Sequence, residues 1–364
     1  MSLFLRRKNK YKKKHLKFSE KIITWYNENK RDLPWRNTND AYVIWISEII
    51  LQQTRVAQGL SYFVRFLERF PDVNTLAIAD ENEVLKYWQG LGYYSRARNL
   101  HKSSKIVKEL YQGVFPTKYE ELLSLPGIGE YTAAAISSFS TNEPHAAIDG
   151  NVYRILARVF GIMEEISSSS SKKTFKSLAY ELLDKKVAGI YNQAIMDFGA
   201  LQCVPVNPQC DICPLASMCF AVQHNCVQNL PVKGKSIKQK ERFFYYLDIS
   251  LGEYTFLEQR TANDIWKKLF QFPLVELDKY LPINEFISNK KFTTLFKTVD
   301  DVQINFISPE IRHVLSHQII KARFLQISIG RENDFLRSLI KIERKNFDDY
   351  TVPRLIEKYA EEYL

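Results

Sequence analysis

Apolar residues recur every three or four positions along most of the first 220 residues of the chain. KIITWYNEN from Lys21, YVIWISEIILQQT from Tyr42, GLSYFVRFLERF from Gly59, ENEVLKYW from Glu81, NLHKSSKIVKELY from Asn99, YEELLSL from Tyr119, YTAAAISSF from Tyr131, VYRILARVFG from Val152 and FKSLAYELLD from Phe175 all carry this spacing. It is the period of one helix face, so the pattern predicts a series of helices without regular β-alternation. Pro and Gly punctuate the joins at Pro34, Pro71, Gly90, Gly92, Pro116, Pro126 and Pro144, and the run Ser167 to Ser171 reads as a flexible surface loop. Beyond residue 238 the texture changes. FFYYLDISL, EYTFLEQR, FPLVEL, VQINFI and FLQISIG are short and rich in aromatic and β-branched residues, as strands are, and TVPRLIEKYAEEYL closes as a helix with Pro353 in its first turn. Between the two textures QHNCVQNLPVKGKSIKQKE is polar and basic, with Pro231 and Gly234, and reads as a linker. The predicted organisation is a basic tail over 1–17, an all-α domain over 18–222, a linker over 223–237 and an α+β domain over 238–364. Two cores suit a chain of 364 residues.

Composition excludes several classes. Hydrophobic residues make up 45% of the chain and charged ones 25%, which is the balance of a packed globular protein. AYVIWISEIIL, from Ala41, is the most apolar run, yet Ser47 and Glu48 interrupt it well short of a membrane span. Only Leu3, Phe4 and Leu5 precede the first charges, too few for a secretory signal, so a cytoplasmic location without disulfides is expected. The net charge of +10 is unevenly placed. Eight of the 51 Lys and Arg lie in residues 1–17 with no acid among them, and the other 43 nearly balance 41 acids. The tail is either a phosphate-binding arm or a solvated end.

Cys203, Cys210, Cys213 and Cys219 lie within 17 residues, with gaps of six, two and five. Four thiolates so close can wrap one metal centre. Only Cys210 and Cys213 form a Cys-x-x-Cys unit, and the uneven spacing suits a bulky iron-sulfur cube, with structural zinc as the alternative. Cys226 stands outside the set and reads as a free thiol.

Three further features bear on chemistry. ELLSLPGIGEYTAAAI joins two helical stretches through Gly127 and Gly129, where a tight turn can present the next helix's bare N–H groups to phosphate; an ordinary helix–helix turn looks similar. Arg96, Arg98, Lys102, Lys105 and Lys108 form a basic run that is either a DNA contact or a solvated face. Two carboxylates are out of place. Glu48 sits in a strongly apolar helix and shares a predicted polar side with Ser47, Gln52 and Arg55, a stripe that ordinarily faces water and otherwise lines a cavity. Asp149 stands before Gly150 and Asn151, where it can cap the next helix.

Together these segments resemble the helix-hairpin-helix DNA glycosylases that carry an iron-sulfur cluster, and within them the adenine-DNA glycosylases of the MutY type. The resemblance runs through LPWR, WISEIILQQTRV, WQGLGYYSRARNLHK, LPGIGEYTAAAI, AIDGNVYRILAR and NQAIMDFGALQC into the four cysteines. It implies a helix-hairpin-helix glycosylase domain with a 4Fe-4S cluster held by the loop 203–219, followed by a Nudix-like domain that recognises 8-oxoguanine. It implies that Glu48 protonates adenine, Asp149 stabilises the oxocarbenium-like sugar, and Tyr131 and Asn151 support them. Arg36 and Gln193 would surround the adenine. Gln53 and Tyr93 would probe the duplex, with Tyr93 as wedge unless Tyr94 takes that part, and Gly127 and Gly129 would hold DNA phosphate. In LSHQ, Ser316 and His317 would read the oxidised base, while Leu315 departs from the bulky aromatic usual before Ser-His. The implied partner is double-stranded DNA with adenine opposite 8-oxoguanine or guanine, bound by a monomer without membrane attachment. The endonuclease III type, which cleaves the backbone through a hairpin lysine, is disfavoured: Tyr131 occupies that place and no Lys occurs between Lys118 and Lys172. A non-catalytic DNA-binding or redox-sensing relative would be marked by loss of one carboxylate, and both are present.

Overall fold

The computed structural model describes residues 3–234, 239–299 and 301–364, with side chains described from residue 15. The chain divides into two compact units, one comprising 1–78 and 99–235, the other 79–98 and 236–364. The second unit thus recruits a segment from within the helical stretch, which no feature of the sequence announces.

The helices in chain order are α1 (Leu3–Asn29), α2 (Ala41–Leu51), α3 (Val56–Arg69), α4 (Val73–Ile78), α5 (Glu81–Trp88), α6 (Ser95–Leu110), α7 (Tyr119–Leu123), α8 (Glu130–Thr141), α9 (Gly150–Phe160), α10 (Ser169–Leu182), α11 (Ala188–Asp197) and α12 (Phe220–Gln223). In the first unit α2 packs on α8, and α1 packs on α11. One core gathers α1, α9, α10 and α11 around Phe18, Ile22, Ile155, Phe175 and Phe198, with Cys219 among its buried members. Caps set several boundaries. Asp40 accepts from Tyr42 N at 2.8 Å to start α2, and Ser168 accepts from Ser171 N at 3.2 Å to start α10.

Several expectations are corrected here. The serine run is not a loop but the cap and first turn of α10, because Ser168 satisfies an amide that the helix start leaves open. The tail boundary at residue 17 falls inside α1, although the tail's side chains up to residue 14, and with them any phosphate-binding role, lie outside the described residues. Helix α2 ends at Leu51, so Gln52 caps it and Arg55 precedes α3, and neither continues the stripe of Glu48. Helices α4, α11 and α12 escaped the periodic reading because α4 and α12 are short and α11 is buried on most sides. The linker expected over 223–237 includes a short helical turn at Val227–Asn229, and its residues 235–237 lie outside the described ones.

The second unit is built on an α/β arrangement with a mixed sheet. Its strands are β1 (Lys240–Leu251), β2 (Tyr254–Gln259), β3 (Phe270–Gln271), β4 (Leu274–Leu277), β5 (Gln303–Ile307), β6 (Ile311–Val314), β7 (Gln318–Ser328) and β8 (Ile340–Glu343). Strand β1 runs parallel to β7 from Lys240 opposite Gln318 to Ser250 opposite Ser328, and the remaining pairings are antiparallel. Alternate residues of β1 feed two cores. Phe243, Tyr245, Leu247 and Ile249 point to one, and Phe244 and Tyr246 to the other. Burial on both faces explains why FFYYL reads as a continuous apolar run. Short helices α13 (Ile283–Ile287), α14 (Lys290–Leu295) and α15 (Asp334–Arg337) and the closing helix α16 (Arg354–Tyr363) complete the unit. Pro353 lies one place before α16, as its N-cap, where its missing N–H costs nothing. Strands β3, β6 and β8 went unread because two to four residues are too few to show alternation. Among the described residues no helix is long and apolar enough to cross a membrane.

Candidate active site

Glu48 is buried, only 7% exposed, and Ser47 beside it is 1% exposed. The carboxylate therefore faces the interior, not water as its polar stripe led one to expect. Its surroundings come from four elements. Tyr131, in the first turn of α8, donates its hydroxyl to Glu48 Oε2 at 2.8 Å. Arg36 follows the Pro34 turn, and Gln193 and Met196 face the same small pocket from α11, with Leu33 and Trp35 completing the wall. Burial pushes the Glu48 carboxyl up to about 7, the Tyr131 hydrogen bond opposing this and the charge of Asp149 reinforcing it. A substantial share of the protonated acid thus persists at neutral pH, in a pocket where Leu33, Trp35 and Met196 alternate with Arg31, Arg36 and Gln193.

Asp149 is held by a different set of partners. It caps α9, with Oδ1 accepting from Val152 N at 2.8 Å and Oδ2 from Asn151 Nδ2 at 2.8 Å. Burial raises its pKa above the usual carboxylate range, with those donors and the charge of Arg154 opposing part of the rise. These hydrogen bonds fix the orientation of the Asp149 carboxyl on the start of α9. Asn151 is itself fixed, since its Oδ1 accepts from Arg154 Nη2 at 2.8 Å, and Arg154 also donates to Gly199 O and Cys203 O at 2.8 Å each. A Cβ on Gly199 would stand 2.5 Å from Asn151 Cβ, so only glycine lets this turn approach α9. Asn192 steadies the segment leading to Asp149 by accepting from Ala147 N and donating to His145 O.

Residues that the sequence reading passed over support this centre. Asp197, fully buried, receives Arg36 at 2.5 and 2.7 Å and Arg31 at 2.5 and 2.9 Å. Burial alone would raise its pKa, but the hydrogen bonds and charges of the two arginines hold it below the usual range. Tyr26 donates to Gln193 Oε1 at 2.7 Å. A legible signal existed: an aspartate in the apolar run AIMDFGAL needs a buried cation.

The hairpin turns at Gly127, whose φ of 81° favours glycine and whose Cβ would meet Asn99 Cβ at 2.7 Å. Gly129 has extended backbone and caps α8 without any side-chain hydrogen bond, leaving the first-turn amides uncovered. Both glycines are exposed. Gln53 and Tyr93 are exposed non-glycine residues in the left-handed region, with φ of 58° and 48°, a strained backbone typical of residues presented to a ligand. Tyr94 is 5% exposed while Tyr93 is 51% exposed, so only Tyr93 is free to reach outward. Of the basic run, Arg96 is buried over the Trp88 ring and Arg98 donates to Lys267 O at 2.9 Å, which makes both structural; Lys102, Lys105 and Lys108 remain exposed.

Cys203, Cys210, Cys213 and Cys219 line one narrow cavity with Arg158, Phe198, Leu215 and Val227. Burial pushes the Cys213 thiol up to about 11, and the neighbouring cysteines add to it. Four thiolates crowded together repel unless a cationic core lies among them, so the donor set fits a metal cluster. Arg158 approaches Cys203 Sγ at 3.5 Å and otherwise donates to the carbonyls of Val204, Pro205, Val227 and Leu230, clasping the loop. Cys226 packs against the helical core and lies outside this cavity.

In the second unit, Ser316 and His317 are exposed in the β6–β7 turn, where Leu315 N donates to Gln318 O at 2.8 Å. The Tyr93 hydroxyl and Ser316 Oγ lie 2.6 Å apart. They face a cleft of about 590 Å³ that Trp266, His313 and Leu315 also line.

A family profile described as HhH-GPD superfamily base excision DNA repair protein matches residues 46–180, and one described as the iron-sulfur binding domain of endonuclease III matches residues 203–219. The adenine DNA glycosylase of Buchnera aphidicola subsp. Acyrthosiphon pisum is 32% identical over 352 residues, covering 95% of this chain and 97% of that protein. Its counterpart from the Baizongia pistaciae symbiont is 36% identical over 88% of each chain. Among solved structures, a thermostable thymine-DNA glycosylase superposes with a TM-score of 0.55 at 29% identity, covering 60% of this chain and 99% of its own. With its buried Glu48 and helix-capping Asp149, its hairpin and its four-cysteine iron-sulfur loop, the chain belongs to the adenine DNA glycosylases, base-excision repair enzymes of the helix-hairpin-helix superfamily that carry a 4Fe-4S cluster.

Proposed function

We propose that this protein removes adenine mispaired with 8-oxoguanine, and with guanine, by acid-assisted hydrolysis of the N-glycosidic bond without a lysine-based lyase step. The observation that carries the reading is Glu48, a buried carboxylic acid whose pKa is raised to about 7, with the capping carboxyl of Asp149 close enough to add to that rise. The target base leaves the stack and enters the pocket bordered by Arg36 and Gln193. Glu48 gives its proton to adenine N7, the bond between C1′ and N9 breaks, and the electron pair leaves with the base. Asp149 stabilises the cationic sugar, as carboxylates do in glycoside hydrolysis. Water then adds to C1′ and its proton returns to the carboxylate. Tyr131 orients Glu48, and Asn151 orients Asp149. No lysine lines the pocket at Glu48, so the amine a Schiff base requires is missing from that wall.

The remaining assignments follow the same logic. Gly127 and Gly129 hold phosphate of double-stranded DNA, and Gln53 and Tyr93 probe the duplex. Cys203, Cys210, Cys213 and Cys219 hold the cluster, whose contribution is to cross-link the loop that Arg154 and Arg158 tie to α9. Cys213→Ser is expected to lower the iron content from about four per chain and to reduce thermal stability and DNA binding. Ser316 and His317, in a Nudix-like domain, read the oxidised base. The decisive experiment is a single-turnover glycosylase assay on a duplex with adenine opposite 8-oxoguanine. Rapid release of adenine, with strand breaks only after alkali or heat, is the expected result. A turnover-competent Schiff base trapped by borohydride would instead restore the lyase.

A further inference from the structure

A cavity of about 480 Å³ in the first unit has no part in the mechanism above. Tyr119, Tyr131, Tyr153 and Tyr180 wall it, with Lys172, Lys173 and Lys176 along α10. Lys176 is tied to Glu130 at 3.0 Å. Lys172 and Lys173 are exposed, and no ion pair engages either among the described residues. The aromatic rings are held in place. Tyr119 stacks on His145 with centroids 4.0 Å apart, Tyr180 hydroxyl lies 3.3 Å from His145 Nδ1, and Tyr153 meets Phe175 edge-on at 4.9 Å.

Two features say what this cavity accepts. Rigid aromatic faces interleaved with unpaired ammonium groups suit a sugar-phosphate chain, whose sugars pack on rings and whose phosphates need cations. Tyr131 is a shared wall, its ring lining this cavity and its hydroxyl resting on Glu48. Glu130, which also lines the cavity, follows the exposed Gly129 directly. A strand whose base reaches Glu48 therefore has its backbone next to this cavity.

We propose that the tyrosine-lysine cavity binds the sugar-phosphate backbone of the adenine-bearing strand beside the extruded nucleotide, with Lys172 and Lys173 each meeting one phosphate. This rests on the reading that duplex DNA is the substrate. The test measures the affinity of the full-length, cluster-loaded protein for a duplex carrying a tetrahydrofuran abasic-site analogue over a series of KCl concentrations. Neutralising two phosphate contacts lowers the slope of log Kd against log salt by about 2. Lys172→Ala with Lys173→Ala is expected to show that drop with an unchanged melting temperature, since both ammonium groups are in solvent, and Lys172→Arg with Lys173→Arg is expected to restore the slope. Unchanged affinity and slope in the alanine variant overturn the proposal, as does weaker binding with an unchanged slope. Wild-type protein that binds the duplex yet leaves adenine in place would sink the excision reading and leave this one standing.

Discussion

The pocket at Glu48 and the turn at Ser316 treat polar groups in opposite ways. Around Glu48 the protein removes water, and the loss of solvation, with Asp149 nearby, is what moves the acid's pKa to about 7. At the β6–β7 turn Ser316 and His317 stay in water, on backbone fixed by the strand pair. Burial suits proton transfer, where a changed protonation equilibrium is the working property. Exposure suits reading a base edge, where hydrogen-bonding capacity open to an incoming group is the working property; the Ser316 hydroxyl, 2.6 Å from that of Tyr93, keeps part of its capacity for such a group. Perturbing the first region should therefore change chemistry by orders of magnitude, and perturbing the second should change selectivity by a modest factor.

The largest expected effect is that of Glu48→Gln, which keeps DNA binding but lowers single-turnover adenine release by about 10²- to 10⁴-fold, because the amide cannot donate the proton. Near wild-type release would remove Glu48 from the mechanism. Asp149→Asn should cost about 10²- to 10³-fold for a different reason, the loss of negative charge beside the developing cation. The pH profile separates the two carboxylates. Release at saturating enzyme should fall above pH 7 in the wild type, as Glu48 loses its proton.

The same burial has a stability consequence. With its folded pKa raised from 4.5 to about 7, Glu48 costs the native state nothing below pH 4.5, a growing amount between 4.5 and 7, and a constant amount above. That shift corresponds to roughly 3 kcal/mol. Glu48→Gln should accordingly raise the denaturation midpoint at pH 8 and leave it unchanged at pH 4. Equal stability at both values would mean that the acid is solvated after all.

The smallest effect is expected at the turn. Ser316→Ala with His317→Ala should lower the preference for adenine opposite 8-oxoguanine over adenine opposite guanine by the worth of one or two hydrogen bonds, each of roughly 0.5–1.5 kcal/mol. An unchanged ratio of single-turnover efficiencies, measured below saturation, would reduce the domain to a general DNA anchor. Point variants are preferable to deleting 238–364, because residues 79–98 belong to the same unit through Gln89 to Glu357, Gln259 to Asn82 and Arg98 to Lys267. Truncation would strip that segment of its partners.

Much of this was legible in the chain itself. Helix faces show in the 3.6-residue period because each buries one side, and the two faces of β1 show as an unbroken aromatic run. The cysteine spacing, the Gly127–Gly129 hairpin and the capping Asp149 are local features, and local sequence is sufficient to specify a turn, a cap or a loop that encloses a cluster. Tertiary structure alone decided which way Glu48 faces, because a polar residue on an apolar helix is compatible with solvent until the helices around it are placed. It decided that Asp197 anchors Arg31 and Arg36 across more than 160 residues of chain, that Tyr93 rather than Tyr94 is exposed, and that 79–98 joins the C-terminal sheet. Each of these depends on desolvation or on contacts between segments distant in the chain, and neither quantity is a function of neighbouring residues.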